Sequence, residues 1–143
     1  MSGESDLARL LASLAPELDT EPYVFVGGLD VVPPGIMPLA TFREAEGLSL
    51  VVAVSMWAAT GRPASAPCAR LTMMVHSSLE AVGMTAAIAD ALTERNISAN
   101  VVAAYHHDHI FVPWDRRQEA MEAIKALAEA AASWGRATDK ERW

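Results

Sequence analysis

The chain has 143 residues, with 18 acidic and 11 basic side chains, a formal net charge of −7, and 52% hydrophobic against 20% charged residues. This hydrophobic share suits a packed globular unit and excludes a mainly disordered chain, while the negative charge disfavours nucleic acid and anionic membranes as partners. The single cysteine, Cys68, excludes an internal disulfide and a cysteine-rich zinc site. The opening MSGESDLARL lacks a charged-then-apolar leader, and no apolar run approaches the ~20 residues of a bilayer span, so a cytoplasmic protein is expected.

Leu7, Leu10, Leu11, Leu14 and Leu18 recur at steps of three and four, predicting an amphipathic helix with Ser5 as N-cap and Pro16 near its end. Tyr23 to Val26 reads as a short strand between Pro22 and the Gly27–Gly28 pair. The segment Asp30 to Pro38, DVVPPGIMP, carries three prolines and a glycine and predicts an ordered loop. Phe42 to Gly47 reads as a turn. Leu48 to Val54, LSLVVAV, predicts a strand covered on both faces, and Ser55 a cap for one helical turn carrying Met56 and Trp57. The proline-rich GRPASAP, Gly61 to Pro67, reads as a linker.

After it, Leu71 to His76 alternates as a strand, with Leu71, Met73 and Val75 on one side. Ser77 and Glu80 stand three apart, as in a capping box, and predict a helix start. Met84, Ile88, Ala91 and Leu92 follow at helical spacing, and Arg95–Asn96 predicts the stop. Ile97 to Ala104 and His109 to Pro113 read as strands joined by Tyr105 to Asp108. A last helix is expected from Asp115, with Ala120, Ile124, Leu127 and Ala131 inward, to Trp134–Gly135. Arg116 and Arg117, the only adjacent basic pair, read as a solvated first turn.

The segments VGMTAAIADALTERNIS and YHHDHIFVP, in this order of elements, resemble an ACT domain, most closely stand-alone bacterial ACT proteins and the regulatory domains of aspartate kinases. The resemblance implies a ferredoxin-like α/β (α+β) fold, an antiparallel sheet with helices on one face. The division expected is a reduced ACT-like unit over residues 1–60, a linker over 61–67, an ACT domain over 68–134 and a flexible tail over 135–143. No credible fourth strand follows Val112. A strand from the N-terminal half, such as Tyr23–Val26 or Leu48–Val54, or a second subunit must fill that edge.

For function the resemblance implies a regulatory protein that binds a small molecule, an amino acid, and acts as a homodimer without catalysis or cofactor. The expected ligand contacts are Ser77, Ser78, Glu80, Val82, Gly83, Met84 and Thr85 at a helix start, Ser98 and Asn100 on one face of the following strand, and Asp108 in the hairpin. The helix-start amides and serine hydroxyls suit a carboxylate, and in the resembled family the position of Gly83 lines the effector site between ACT units. His106, His107, Asp108 and His109 could hold a metal, but adjacent hairpin residues rarely converge on one ion, and no metal ligands are assigned. The alternatives are a metal-dependent enzyme built on that cluster and an interaction module without an effector site.

Overall fold

The computed structural model describes residues 6–75 and 82–140, with side chains through residue 134. Helix α1 (Leu7–Ala12) starts at Asp6, whose Oδ1 accepts the Arg9 amide at 3.0 Å. The helix is shorter than the leucine spacing predicts. Pro16 opens β1 (Pro16–Leu29), so Leu18 lies on a strand, and Asp6 rather than Ser5 forms the cap. A proline lacks the amide that would extend a helix, and the chain turns extended there.

β1 is fourteen residues long, and its ladders are interrupted twice. Against β4 (Cys68–Met73) the register shifts between Leu18 and Pro22; against β3 (Gly47–Ala53) it shifts between Val26 and Leu29. Pro22 is tolerated in a central strand because the ladder is already broken beside it. Gly28 has φ of 69°, a conformation side chains resist, and a Cβ on Gly47 would meet Gly28 and Leu29 backbone at 3.0 Å, so conformation favours glycine at the first and close approach requires it at the second.

Asp30 to Pro38 is free of helix and strand, as the prolines predict. Of the turn expected over Phe42–Gly47, only Ala45–Glu46 turns; Phe42–Glu44 belongs to β2 (Ala40–Glu44), paired with β3 as a hairpin. On an exposed edge, four of its five residues face solvent, and this hides the strand from a hydrophobicity reading. Leu50, Val51 and Val52 of β3 are all buried, Leu50 and Val52 with Trp57 on one face and Val51 with Tyr23 and Phe111 on the other, as expected of a strand covered on both faces. α2 (Val54–Trp57) is the single turn expected, without a side-chain cap, since Ser55 lies inside it.

The second half contains α3 (Met84–Glu94), β5 (Asn100–Ala103), β6 (Asp108–Pro113) and α4 (Arg117–Lys140). α3 starts at Met84 with Gly83 as N-cap; the predicted capping pair Ser77 and Glu80 lies outside the described residues. It ends as predicted. Asn96 takes φ of 57°, its amide bonds the Thr93 carbonyl at 2.9 Å, and the Ile97 amide reaches back to Leu92 at 3.0 Å. Buried Leu92 and Ile97 seal this Schellman end. α4 continues past Gly135 to Lys140, beyond the predicted stop. An interior glycine costs only about 1 kcal/mol, and no proline follows to enforce an end.

The six strands form one antiparallel sheet in the order β2-β3-β1-β4-β6-β5. Two ferredoxin-like units interlock in it. The first runs β1, loop, β2, β3, α2, and uses β4 as its fourth strand; the second runs β4, α3, β5, β6, α4, and uses β1. The missing fourth strand is therefore filled internally, by β1, whose residues Pro16–Leu18 and Pro22–Tyr23 pair with β4.

The described helices lie on one face. Leu10, Leu11, Met84, Ile88, Leu92 and Ile124 pack over Ala69, Leu71 and Met73 of β4 and Ile110 and Val112 of β6. Trp57 of α2 covers Val24, Val26, Leu50 and Val52 on the same face. Leu71, Ile88, Ile110 and Ile124 are at most 1% exposed, so truncating any one of them to Ala costs about 2–5 kcal/mol. Among the described residues, the opposite face has no helix. Tyr23, Val51 and Phe111 bury one another there with Phe25, whose ring meets Phe111 edge-on at 5.3 Å.

Candidate functional site

Val82 is 81% exposed, Thr85 is exposed, and Met84 is buried in the helix-side core. Gly83 has φ of 97°, and a Cβ on it would stand 3.0 Å from Leu7 Cδ2 of α1. Its backbone geometry favours glycine, and a Cβ there would also push the Leu7 side chain of α1 aside. Ser77, Ser78 and Glu80 lie outside the described residues.

The expected residues of the following strand do not sit as the alternation predicts. β5 begins at Asn100, so Ser98 precedes it and shares no strand face with Asn100. Asn100 pairs with Phe111 at one end of the β5–β6 ladder, and Asp108 pairs with Ala103 at the other. Antiparallel packing puts the start of α3 at the Asp108 end, where β4 leaves the sheet. Asn100 follows the far end of α3, an 11-residue helix about 16 Å long. One chain brings Val82–Thr85 to the same end as Asp108 and leaves Ser98 and Asn100 at the other.

The hairpin histidines are individually engaged. His109 Nδ1 lies 3.0 Å from Thr72 Oγ1, and His106 stacks edge-on against Tyr105 at 4.9 Å. Burial, then the charge of Arg70, holds His109 below the usual imidazole range, and burial pushes the Asp108 carboxyl up. Among the described residues, no three His, Cys, Asp or Glu side chains gather as a metal set.

Arg116 and Arg117 are not a solvated pair. Arg116 donates to the Arg95 carbonyl at 3.0 Å and the Asn96 carbonyl at 3.3 Å, placing a cation on the negative end of α3, and bonds Glu119. Arg117 stacks on Trp114 at 3.9 Å and donates to its carbonyl at 2.7 Å.

The helix-free face holds polar residues that sequence reasoning missed. Two rows cross the strands there. Glu17, Thr72, His109 and Val102 are successive cross-strand partners; Arg70, Phe111 and Asn100 form the next row, with Asp19 in the bulge beside Arg70. Arg70 Nη2 and Nε both donate to Asp19 Oδ2, at 2.7 and 3.2 Å, and the Tyr23 hydroxyl donates to the same oxygen at 2.8 Å. Asp19 Oδ1 accepts the Glu21 amide at 3.0 Å, closing the bulge. Burial alone would raise Asp19, but these donors outweigh it and hold the carboxyl below its usual range. Burial and the Asp19 bond push Tyr23 up to about 12. Glu17, Thr20, Arg70, Thr72 and Met74 line a depression of about 410 Å³ beside this network. The signal available in the sequence was an Arg–x–Thr alternation on the non-core side of an otherwise apolar strand.

Each half of the sheet therefore takes its fourth strand from the other, the first half with a loop in place of its first helix, which defines a pair of fused ferredoxin-like modules. Two family models described as ACT domain match residues 2–69 and 65–126, and the chain belongs to the ACT-domain family. Their overlap falls at the start of β4, the shared strand. A crystal structure of a Vibrio cholerae protein of unknown function, described as a possible transport protein, is 44% identical, with a TM-score of 0.77 over 85% of this chain and 95% of that one. Protein Atu0741 from Agrobacterium tumefaciens superposes with a TM-score of 0.64 at 14% identity, over 80% and 89% of the chains. The regulatory subunit of aspartate kinase from Thermus flavus does so with 0.58 at 11%, over 80% and 98%. These two likenesses concern the fold. No curated protein matches the sequence, and no described helix is long and apolar enough to cross a membrane.

Proposed function

We propose that this chain is a non-catalytic regulatory protein that binds an amino acid and works as a homodimer. The observation that carries the reading is the interlocked pair of ACT units, an architecture shared with the regulatory subunit of an aspartate kinase. The ligand site combines the start of α3, Val82 to Thr85, and Asp108 of one copy with Ser98 and Asn100 of the next. These groups stand at opposite ends of one chain. Antiparallel pairing of β5 with β5 of a second copy sets the start of one strand beside the end of the other, and β5 is an open sheet edge. Regulation follows if two arrangements of the copies bind the amino acid unequally.

The test is a thermal-shift screen against the twenty amino acids, with sedimentation of the free and bound protein. A selective shift lost on Asn100→Ala, in a protein that sediments as a dimer, supports the reading. A monomer whose stability no amino acid changes sinks it.

A further inference from the structure

We propose that the helix-free face carries a separate binding site for a small zwitterion of the α-amino-acid type, formed by Arg70, Thr72 and Glu17, with His109 beside Thr72. It does not rest on the site at α3 and β5. The guanidinium of Arg70 is aimed before any ligand arrives. Asp19 holds its Nε and Nη2, the Tyr23 ring lies 5.4 Å from its central carbon, and Nη1 remains for a ligand carboxylate. Thr72 stands two residues along β4 on the same face and supplies a hydroxyl, with His109 Nδ1 at 3.0 Å fixing its direction. Glu17 is the direct cross-strand partner of Thr72 and is therefore the diagonal neighbour of Arg70.

Diagonal neighbours on an antiparallel sheet are about 7–8 Å apart, which two long side chains of opposite charge would ordinarily close by bridging each other. Here Arg70 is turned to Asp19 instead, so a cation edge and the exposed Glu17 carboxylate flank the depression separately. A molecule with carboxylate and ammonium on one carbon matches both at once. A lone anion would face Glu17 and a lone cation would face Arg70. Met74, 44% exposed at the rim, offers an apolar contact to a side chain.

The experiment is NMR titration of the ¹⁵N-labelled full chain with each of the twenty α-amino acids, and with propionate and ethylamine as the two half-ligands. At least one amino acid is expected to shift the amides of residues 17, 70, 72 and 109, at concentrations where neither half-ligand does. Glu17→Gln and Thr72→Val, both on the surface side of the sheet, are expected to weaken that amino acid at least tenfold while leaving the spectrum folded. Asn100→Ala should not change it. Equal shifts with propionate, indifference to Glu17→Gln, or shifts confined to residues 82–85 and 98–100 would each overturn the proposal. The last of these would leave the α3–β5 site standing.

Discussion

Arg70 and Asp19, fifty-one residues apart, meet through two hydrogen bonds to a single carboxylate oxygen, joining β4 to the bulge of β1. Their side chains are 22% and 19% exposed, between the surface case and the fully desolvated one. Asp19→Ala strands the guanidinium and opens the bulge. We expect a loss of about 1–2 kcal/mol, read from the urea midpoint. In wild type, the contribution of Asp19 is complete above its ordinary value of ~3.9 and disappears as pH falls through its depressed folded value. An Asp19→Asn variant with unchanged stability at neutral pH would contradict this.

Tyr23 reports on the same oxygen. With Tyr105→Phe as background, Tyr23 is the only phenol, and its ionisation should centre near 12 rather than ~10. A group raised on folding lends stability below its unfolded value, and that stability is lost as pH rises through the folded one. The window is therefore pH ~10 to about 12. Asp19→Ala should bring the phenolate absorbance transition back toward the ordinary range.

His109 works in the opposite direction. Its folded value is lowered, chiefly by burial, so the unfolded chain binds a proton that the folded one resists. Its neutral form favours folding above the ordinary ~6.5, and stability drops as pH falls below it. The urea midpoint of wild type should fall more between pH 7 and 5 than that of His109→Gln. Equal slopes would show that burial of this imidazole has no energetic consequence.

Gly83→Ala tests packing apart from ligand. The left-handed backbone and Leu7 at 3.0 Å predict a loss of about 1–2 kcal/mol. Leu7→Ala should recover the steric part and leave the backbone part. Complete recovery would mean that the positive φ is not maintained in solution.

Asn96→Val should cost about 1–2 kcal/mol, because a β-branched residue resists the left-handed terminus of α3; Asn96→Gly should be nearly neutral. The check is the thermal midpoint of the two variants against wild type.

The second half of the fold was readable because its signals are local. Alternation along Leu71–Val75, the helical spacing from Met84 to Leu92 and the Arg95–Asn96 stop all act within a few residues. Failures came where a local period was ambiguous or a partner was distant. Leu14 and Leu18 continue a helical spacing across Pro16, although Leu18 packs from a strand. β2 carries the polar face of an edge. At the site, Gly83 stands out for its position in the resembled family, whereas its steric partner Leu7 lies 76 residues away in sequence. Asp19 falls between the leucine stripe that ends at Leu18 and the strand expected from Tyr23, and nothing local to it points to Arg70, 51 residues away.

The reciprocal loan of β1 and β4 bears on synthesis of the chain at the ribosome. When the first 60 residues have emerged, the earlier unit still lacks its fourth strand, and β4 arrives only after the Gly61–Pro67 stretch. N-terminal units generally fold first during translation, but here neither half can close its sheet before the other has begun. Two fragments cut at residue 64 would each display an unsatisfied strand edge, and mixing them should reconstitute the sheet more readily than either could fold alone.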